Sequence, residues 1–244
     1  MAANRVHQQS AFIIHTRPYT ESSLIVEVFT LDFGRVSLLA KGARNPKNRK
    51  RGILQPFQPL LINWVGKGEL PILSSVEQGD NLFLFDYKSR VCAFYANELV
   101  YKLTERRDPH PKLYAAYHSL MQDLNKCSFK DKERELSLRL FEKKLLSEIG
   151  YALILDRDID QHELINPELV YRYLPERGPE VYRSSNDYSP LIISGMVLHC
   201  IDRNQYPNDQ VMQQAKQFMR YMLQTLLNGK VINSRRMLYI SSTE

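Results

Sequence analysis

The sequence predicts an α+β fold, a small β-barrel followed by a mostly helical domain, on three observations. Five short segments rich in β-formers crowd into residues 11 to about 78. Glycines stand at their corners. After Gly79 the apolar residues change from a strand period to a helical one.

Ala11-Phe12-Ile13-Ile14-His15 is a short apolar strand that Pro18 breaks. Ser23 to Thr30 is a second strand, and Asp32-Phe33-Gly34 supplies the turn into a third, Arg35 to Ala40. Spacing this tight implies an antiparallel hairpin. Phe57 to Val65 and Leu70 to Val76 form another hairpin around Gly66-Lys67-Gly68. Five such strands suit a closed barrel of the OB-fold type; periodicity alone leaves an SH3-like barrel open.

Residues 87 to 106 carry Val91, Phe94, Tyr95, Leu99 and Leu103 at helical spacing, without Gly or Pro. Pro109 and Pro111 punctuate, and a second helix follows through about Leu124. Ser128-Phe129-Lys130-Asp131 reads as a capping box for a third helix. That helix carries Leu138, Phe141, Leu145 and Ile149 on one face and stops at Gly150. Residues 152 to 188 read as an irregular insert, with Gly178-Pro179 as the turn of a short hairpin. Ser189 and Pro190 look like N-cap and N1 of a helix reaching about Arg203. Asp209 caps a last helix with Val211, Ala215, Phe218, Met222 and Leu226 in one stripe, ended by Gly229, and the tail from Lys230 reads as polar and mobile. The expected domains are therefore 1–80, the OB-type barrel, and 81–244, a helical domain holding the insert.

Charge narrows the function. The excess of 33 Lys and Arg over 27 Asp and Glu gives +6, which permits a polyanionic partner without requiring one. Distribution is more informative. Lys41 to Arg51, Lys-Gly-Ala-Arg-Asn-Pro-Lys-Asn-Arg-Lys-Arg, holds six cations and no acid. Like charges this dense repel, so folding does not explain them. Gly42, Asn45, Pro46 and Asn48 make the segment a loop, either a solvated surface feature or a mobile arm that wraps a phosphodiester backbone. On an OB barrel the second reading gains weight, because such barrels bind single strands through groove cations and stacked aromatics. Arg17, Tyr19, Phe33, Arg35, Phe57 and Trp64 lie in or beside the strands; most of the aromatics are expected in the core, and some to stack bases. A second cationic set, Arg134, Arg139, Lys143, Lys144, Lys216 and Arg220, falls on predicted helices. Each reads first as part of a solvated face; together they would rim a groove for an acidic peptide or extend a DNA path.

Catalytic signatures are missing: there is no GxxxxGK[ST] loop, GxSxG elbow or HExxH helix. Cys92, Cys127 and Cys200 are scattered, with no CxxC pair for zinc, which suits a reducing compartment. Met1 to Gln9 lacks the apolar region of a secretory signal, and no apolar run is long enough to span a bilayer. A cytoplasmic protein that is not an enzyme is expected.

These segments together resemble the RecO family. The resemblance is carried by Ala11 to Leu24, by Phe29-Thr30 leading to Gly34-Arg35-Val36, by Ala40-Lys41-Gly42-Ala43-Arg44, and by Leu54-Gln55-Pro56-Phe57 with Pro59-Leu60-Leu61. Downstream it continues through Asn97-Glu98-Leu99, Arg139 to Gly150-Tyr151, and Gly229-Lys230 with Ser234-Arg235. It is specific in the first 70 residues and weakest over 152–188. It implies an N-terminal OB-fold, a helical C-terminal domain, and a recombination mediator. Such a mediator binds single- and double-stranded DNA and anneals complementary strands without hydrolysing nucleotide. It also implies partners: RecR, sometimes RecF, RecA as the protein loaded, and the acidic tail of single-strand-binding protein (SSB). Some relatives carry a four-cysteine zinc site in the C-terminal half; the insert here has no cysteine pair, so neither metal nor cofactor is expected. The expected phosphate contacts are Arg35, Lys41, Arg44, Lys47, Arg49, Lys50 and Arg51. The expected SSB-tail contacts are Arg139, from the matched Leu-Arg-x-Phe-Glu segment, and Lys143. The competing readings are an OB-fold RNA-binding protein, a metal-dependent nuclease, and a scaffold whose basic loop only solvates the fold.

Overall fold

The structure is a computed structural model. It describes residues 5–48, 50–79, 82–126, 130–183, 191–234 and Met237.

Five strands close into a barrel in the order β1-β2-β3-β5-β4: β1 (Arg5–Pro18), β2 (Leu24–Thr30), β3 (Gly34–Ala40), β4 (Leu60–Val65) and β5 (Ile72–Gln78). Neighbours pair antiparallel except β3 and β5, which meet in parallel at Leu39 and Ile72. Closure in this order is the OB-fold arrangement and resolves the alternative left open by periodicity. Alternation decides the faces: Ala11, Ile13, Val26, Val28, Val36 and Leu38 point inward and join Leu60, Ile62, Trp64 and Leu73 in the core. Each fully buried aliphatic of this kind contributes about 1.5–3 kcal/mol.

β1 is longer than its apolar stretch suggests. It begins at Arg5 and reaches Pro18, because its first half pairs with β4 and its second half with β2. Register shifts between Val6 and Gln9 and between Ile13 and His15 bend it enough to serve both partners. Pro18 is tolerated as the last residue of the strand.

α2 (Tyr87–Leu103) and α3 (Pro111–Leu124) belong with the barrel in one compact unit, residues 1–129 with 232–244. Asp86 caps α2 by accepting the Ser89 N–H at 2.6 Å, and Pro111 opens α3 at its first turn. α2 stops at Leu103, three residues short of its expected end, where Thr104 turns its hydroxyl back on the Val100 carbonyl at 2.8 Å. The barrel's outward-facing Phe12 and Phe29 pack against Tyr114 and Tyr117, with ring centroids 5.0–5.9 Å apart. Asn97 ties α2 to the bend in β1 by donating to the Ile14 carbonyl at 3.2 Å, and the buried Tyr117 hydroxyl donates to Asn97.

The second compact unit, residues 130–231, holds α4 (Asp131–Glu148), a sheet ordered β7-β6-β8, α5 (Gly195–Arg203) and α6 (Asp209–Leu227). Its strands are β6 (Val170–Leu174), β7 (Gly178–Val181) and β8 (Ile192–Ser194). Tyr173 stacks edge-on against Phe218 at 4.8 Å in its core. Several local expectations are corrected here. The hairpin turn falls on residues 175–177, and Gly178-Pro179 opens β7, an edge strand where proline costs no ladder bond. Ile192 and Ile193 are strand, pairing with β6, so the next helix starts only at Gly195 with Ser194 as its cap. Asn208, not Asp209, caps α6, accepting the Val211 N–H at 2.9 Å. The expected caps Ser128, Ser189 and Pro190 lie outside the described residues, as does most of the tail beyond Ser234; the start of that tail is held rather than mobile, with Ile232 and Ser234 buried and Asn233 and Ser234 bonded to Glu98, and α4 as described begins at Asp131, with Glu133 accepting the Lys130 N–H at 2.9 Å. Among the described residues no helix is long and apolar enough to cross a membrane.

Candidate nucleic-acid interface

Strand register brings three connections to one end of the barrel. Pro18 faces Leu24 across the β1–β2 connection, Leu24 faces Ala40 where the cationic segment departs, and Leu39 faces Ile72 where the β4–β5 connection arrives. The Leu39 N–H donates to the Pro71 carbonyl at 2.8 Å, fastening that last connection to the end of β3.

The cationic segment is a succession of hydrogen-bonded turns rather than an open arm. Asn45 N–H donates to the Gly42 carbonyl at 3.1 Å, Asn48 N–H to Asn45 at 3.0 Å, and Arg51 N–H to Asn48 at 3.0 Å. The asparagine side chains repeat the pattern, Asn45 Oδ1 accepting from Lys47 N–H at 3.1 Å and Asn48 Oδ1 from Lys50 N–H at 2.9 Å. Asparagine suits this role because its short amide mimics the next peptide group. Buried Ala43 and Leu54 anchor the two ends, and the segment runs into a one-turn helix, α1 (Lys50–Ile53).

On these turns Lys41, Arg44, Lys47 and Arg51 are exposed. Arg44 also clasps the β1–β2 connection: its guanidinium donates to the Thr20 carbonyl at 2.6 Å and its N–H to the Ser22 carbonyl at 2.9 Å. Lys50 is half-buried, and its ammonium donates to the Ser74 and Leu73 carbonyls at 3.0 and 3.3 Å, pinning α1 to β5. Arg49 lies outside the described residues. Topology adds two exposed cations at the same barrel end, Arg17 on β1 and Lys67 in the β4–β5 connection. Neither stands in the cationic run; only the strand register joins them to it.

Arg35 is elsewhere and otherwise engaged. It faces outward from β3, where its guanidinium lies 3.8 Å from the Glu27 carboxylate, donates to the Thr104 carbonyl at 3.0 Å, and sits 5.0 Å from the centre of the Tyr101 ring. Burial pulls its pKa down and Glu27 works against that pull. Glu27 is 1% exposed and also accepts from Arg106 at 3.0 Å and Ser37 at 2.6 Å. With Ile25, Phe29 and Ser37 buried as well, the outer face of β2 and β3 is covered. That face commonly receives oligonucleotides in OB-folds. Here the exposed cations lie instead on the connections at the barrel end.

The second cationic set is largely neutralised within its own unit. Arg134 pairs with Asp131 at 2.8 Å, Lys144 with Glu148 at 2.8 Å, and Lys216 with Glu135. Arg139 is 5% exposed, pairs with the buried Glu142 at 2.7 Å and lies 3.8 Å from Glu135. Lys143 donates to the Ile201 and Asp202 carbonyls at 2.9 and 2.6 Å, closing the C-terminus of α5, where a cation meets unpaired carbonyls. Burial lowers its pKa, opposed by Asp202. Arg220 is exposed.

Comparison with known proteins agrees with this architecture. The family model "Recombination protein O N terminal" matches residues 1–81, and "Recombination protein O C terminal" matches residues 84–235. The chain is similar to the DNA repair protein RecO of Nitrosospira multiformis, 41% identical over 237 residues that cover 96% of this chain and 95% of that one. It is also similar to those of Azoarcus sp. strain BH72, 38% identical with 96% of each chain covered, and Dechloromonas aromatica, 39% identical with 96% and 95% covered.

Proposed function

This chain belongs to the RecO family of DNA repair and recombination proteins, and on that premise we propose that it is a mediator without catalytic residues, which holds single- and double-stranded DNA at the barrel end where the three connections meet and anneals complementary strands. The observation that carries the proposal is the set of exposed cations, Lys41, Arg44, Lys47 and Arg51, fixed on hydrogen-bonded turns beside Arg17 and Lys67 with no acid in the run. Two strands repel one another. A cationic surface that takes phosphates from both lowers that barrier without selecting sequence. Lys50 supports the surface from beneath, Arg49 extends the run in sequence, and Arg35 holds the strand behind it.

The same reading assigns RecR, RecF and RecA as the proteins it works with, the cytoplasm as its compartment, and the helical unit as the dock for the acidic tail of SSB. Arg139 would meet a tail carboxylate only by exchanging Glu142 or Glu135 for it, and Lys143 only by releasing α5. Arg139→Lys, which keeps charge but loses the planar fork, should therefore weaken tail binding. Unchanged tail affinity would remove Arg139 from the dock.

The test of the main proposal is annealing of two complementary labelled oligonucleotides, bare and SSB-coated, without ATP. The wild type is compared with Lys41→Ala/Lys47→Ala/Arg51→Ala, which leaves the bracing Arg44 and Lys50 in place. Annealing by the wild type, slower in the variant and with a shallower salt dependence of binding, supports it. A wild type that neither binds nor anneals DNA overturns it, and tighter binding of matched RNA would favour an RNA-binding protein.

A further inference from the structure

Four aromatic residues of the barrel and its margins are buried: Phe12, Phe29, Phe57 and Trp64. Phe33 is 39% exposed, but its ring stands edge-on to Trp64 at 5.2 Å, in the turn at the far end of the β2–β3 hairpin from Leu24 and Ala40. Tyr19 differs from all of these. It is 56% exposed, in the β1–β2 connection, at the barrel end where the cationic turns lie. An aromatic ring held largely in water is a hydrophobic surface without a partner inside the fold.

Its backbone is firmly held. Tyr19 N–H donates to the Ser23 carbonyl at 3.1 Å, Ser23 N–H donates to Thr20 Oγ1 at 3.1 Å, and the next carbonyl along, that of Thr20, is the one gripped by Arg44 at 2.6 Å. The cationic turns are thus joined by a direct hydrogen bond to the connection that carries the aromatic ring. A platform fixed in advance loses little freedom on binding.

We propose that Tyr19 is a base-stacking platform that gives the cationic barrel end a preference for unpaired over duplex DNA. This rests on the DNA-binding reading above and adds the group that distinguishes the two forms. Cations take phosphates from either form alike. A ring can stack only on a base whose face is open, and in a duplex interior those faces are covered by neighbouring pairs. With the outer β2–β3 face covered, the β1–β2 connection is where a base meets an aromatic ring. Arg17, two residues upstream, and Arg44, bonded to the next residue, flank the ring with charge for the phosphates on either side of the stacked base.

The experiment measures affinity of the full chain for three probes: a labelled mixed-sequence single strand, the same strand with abasic sites replacing its bases, and a duplex closed by hairpin loops at both ends. Tyr19→Ala should bind the single strand roughly tenfold more weakly, the loss expected of one stacked base. Tyr19→Phe should bind it as the wild type does. Duplex and abasic affinities, and the salt dependence on every probe, should be the same in all three proteins. Equal affinity of Tyr19→Ala and wild type for the single strand overturns the proposal. So does an equal loss on the abasic strand or the duplex, which would mean a phosphate contact or a folding defect, and so does a loss in Tyr19→Phe, which would put the hydroxyl in the ring's place. The Lys41/Lys47/Arg51 triple variant, run beside these, separates the two readings. If it leaves all affinities unchanged, the placing of DNA at this barrel end fails; if it weakens every probe while Tyr19→Ala weakens none, only the platform fails.

Discussion

Arg35 and Glu27 face each other diagonally across the β2–β3 hairpin, guanidinium to carboxylate at 3.8 Å, on a surface that the rest of the unit covers. The pairing gives Arg35 a structural task, whereas Arg17 and Lys41, the cations nearest to it in sequence, are exposed. Replacing Arg35 with Met should cost about 2 kcal/mol of stability, the scale of a lost hydrogen bond to a charged group. The cost stays below that of an orphaned buried charge because Arg106 still holds Glu27 at 3.0 Å. Urea unfolding measures the loss. Binding to DNA as a function of salt should keep its slope, since no phosphate contact is removed; a slope shallower by about one would return Arg35 to the interface.

Gly34, next to Arg35, is the residue the hairpin cannot exchange. Its φ is +62°, and a Cβ placed there would stand 2.0 Å from the Asp108 carbonyl oxygen. That backbone is held close because Arg107 N–H donates to the Arg35 carbonyl at 2.9 Å. Gly34→Ala should thus destabilise the barrel unit by about 2–3 kcal/mol, combining left-handed strain with forced displacement of a packed backbone. Thermal unfolding of the variant within a degree of the wild type would contradict the close approach.

The sequence makes the barrel legible where side chains alternate, as in Leu24 to Thr30 and Gly34 to Ala40, since inward Val26, Val28, Val36 and Leu38 repeat with period two. It hides Arg5 to Ser10, whose strand state comes from backbone pairing with β4 some fifty residues away and not from apolar content. It hides β8 for the same reason: Ile193 is strand because Tyr171 lies beside it. The cationic run is visible as composition, but Lys50's hold on β5 and Arg35's pairing with Glu27 depend on partners supplied by the fold. The second of these had a signal in the register itself. A hairpin turning at Asp32-Phe33 sets Phe29 opposite Arg35 and Glu27 opposite Ser37, so an acid and a base share one outward face. Arg139 had a signal too, since Glu135 and Glu142 flank it at helical spacings of four and three.

Glu98 fastens the returning chain to α2. It accepts the N–H groups of Asn233 and Ser234, both at 2.9 Å, and the Ser234 hydroxyl at 2.8 Å, while pairing with Lys102 at 2.7 Å. Burial alone would raise its pKa; the bonds from Lys102, Ser234 and Asn233 outweigh burial and leave it below the ordinary carboxylate value. A carboxylate depressed in the folded state stabilises above its unfolded pKa, and that stabilisation is lost as pH falls through the lower, folded value. The attachment of residues 232–234 should therefore persist through neutral pH and loosen in acid, below the ordinary range. Amide exchange at Asn233 and Ser234 across an acid titration reads this directly. In Glu98→Gln both amides should exchange faster at neutral pH and show no further change in that acid window; unaltered protection in this variant would show that something else holds the segment.

Arg139 and Glu142 carry the corresponding balance in the helical unit. Glu142 is 1% exposed and receives the Arg139 guanidinium at 2.7 Å, itself only 5% exposed. Removing one member of such a pair usually costs more than the pair contributes, because the survivor stays buried with its charge poorly matched. Arg139→Met should accordingly cost about 3 kcal/mol. Glu142→Leu alone leaves Arg139 with Glu135 3.8 Å away and should cost less. The double variant, which removes both buried charges and keeps apolar volume, should recover much of the loss seen in Arg139→Met, giving a coupling of about 1–3 kcal/mol in a double-mutant cycle. Urea unfolding of the four proteins provides the cycle. Additive losses would mean that the two side chains stabilise the unit independently. A stable double variant has a further use: it keeps the helical unit folded while deleting the guanidinium expected to meet the SSB tail, so tail affinity measured on it separates a docking role for Arg139 from a purely structural one.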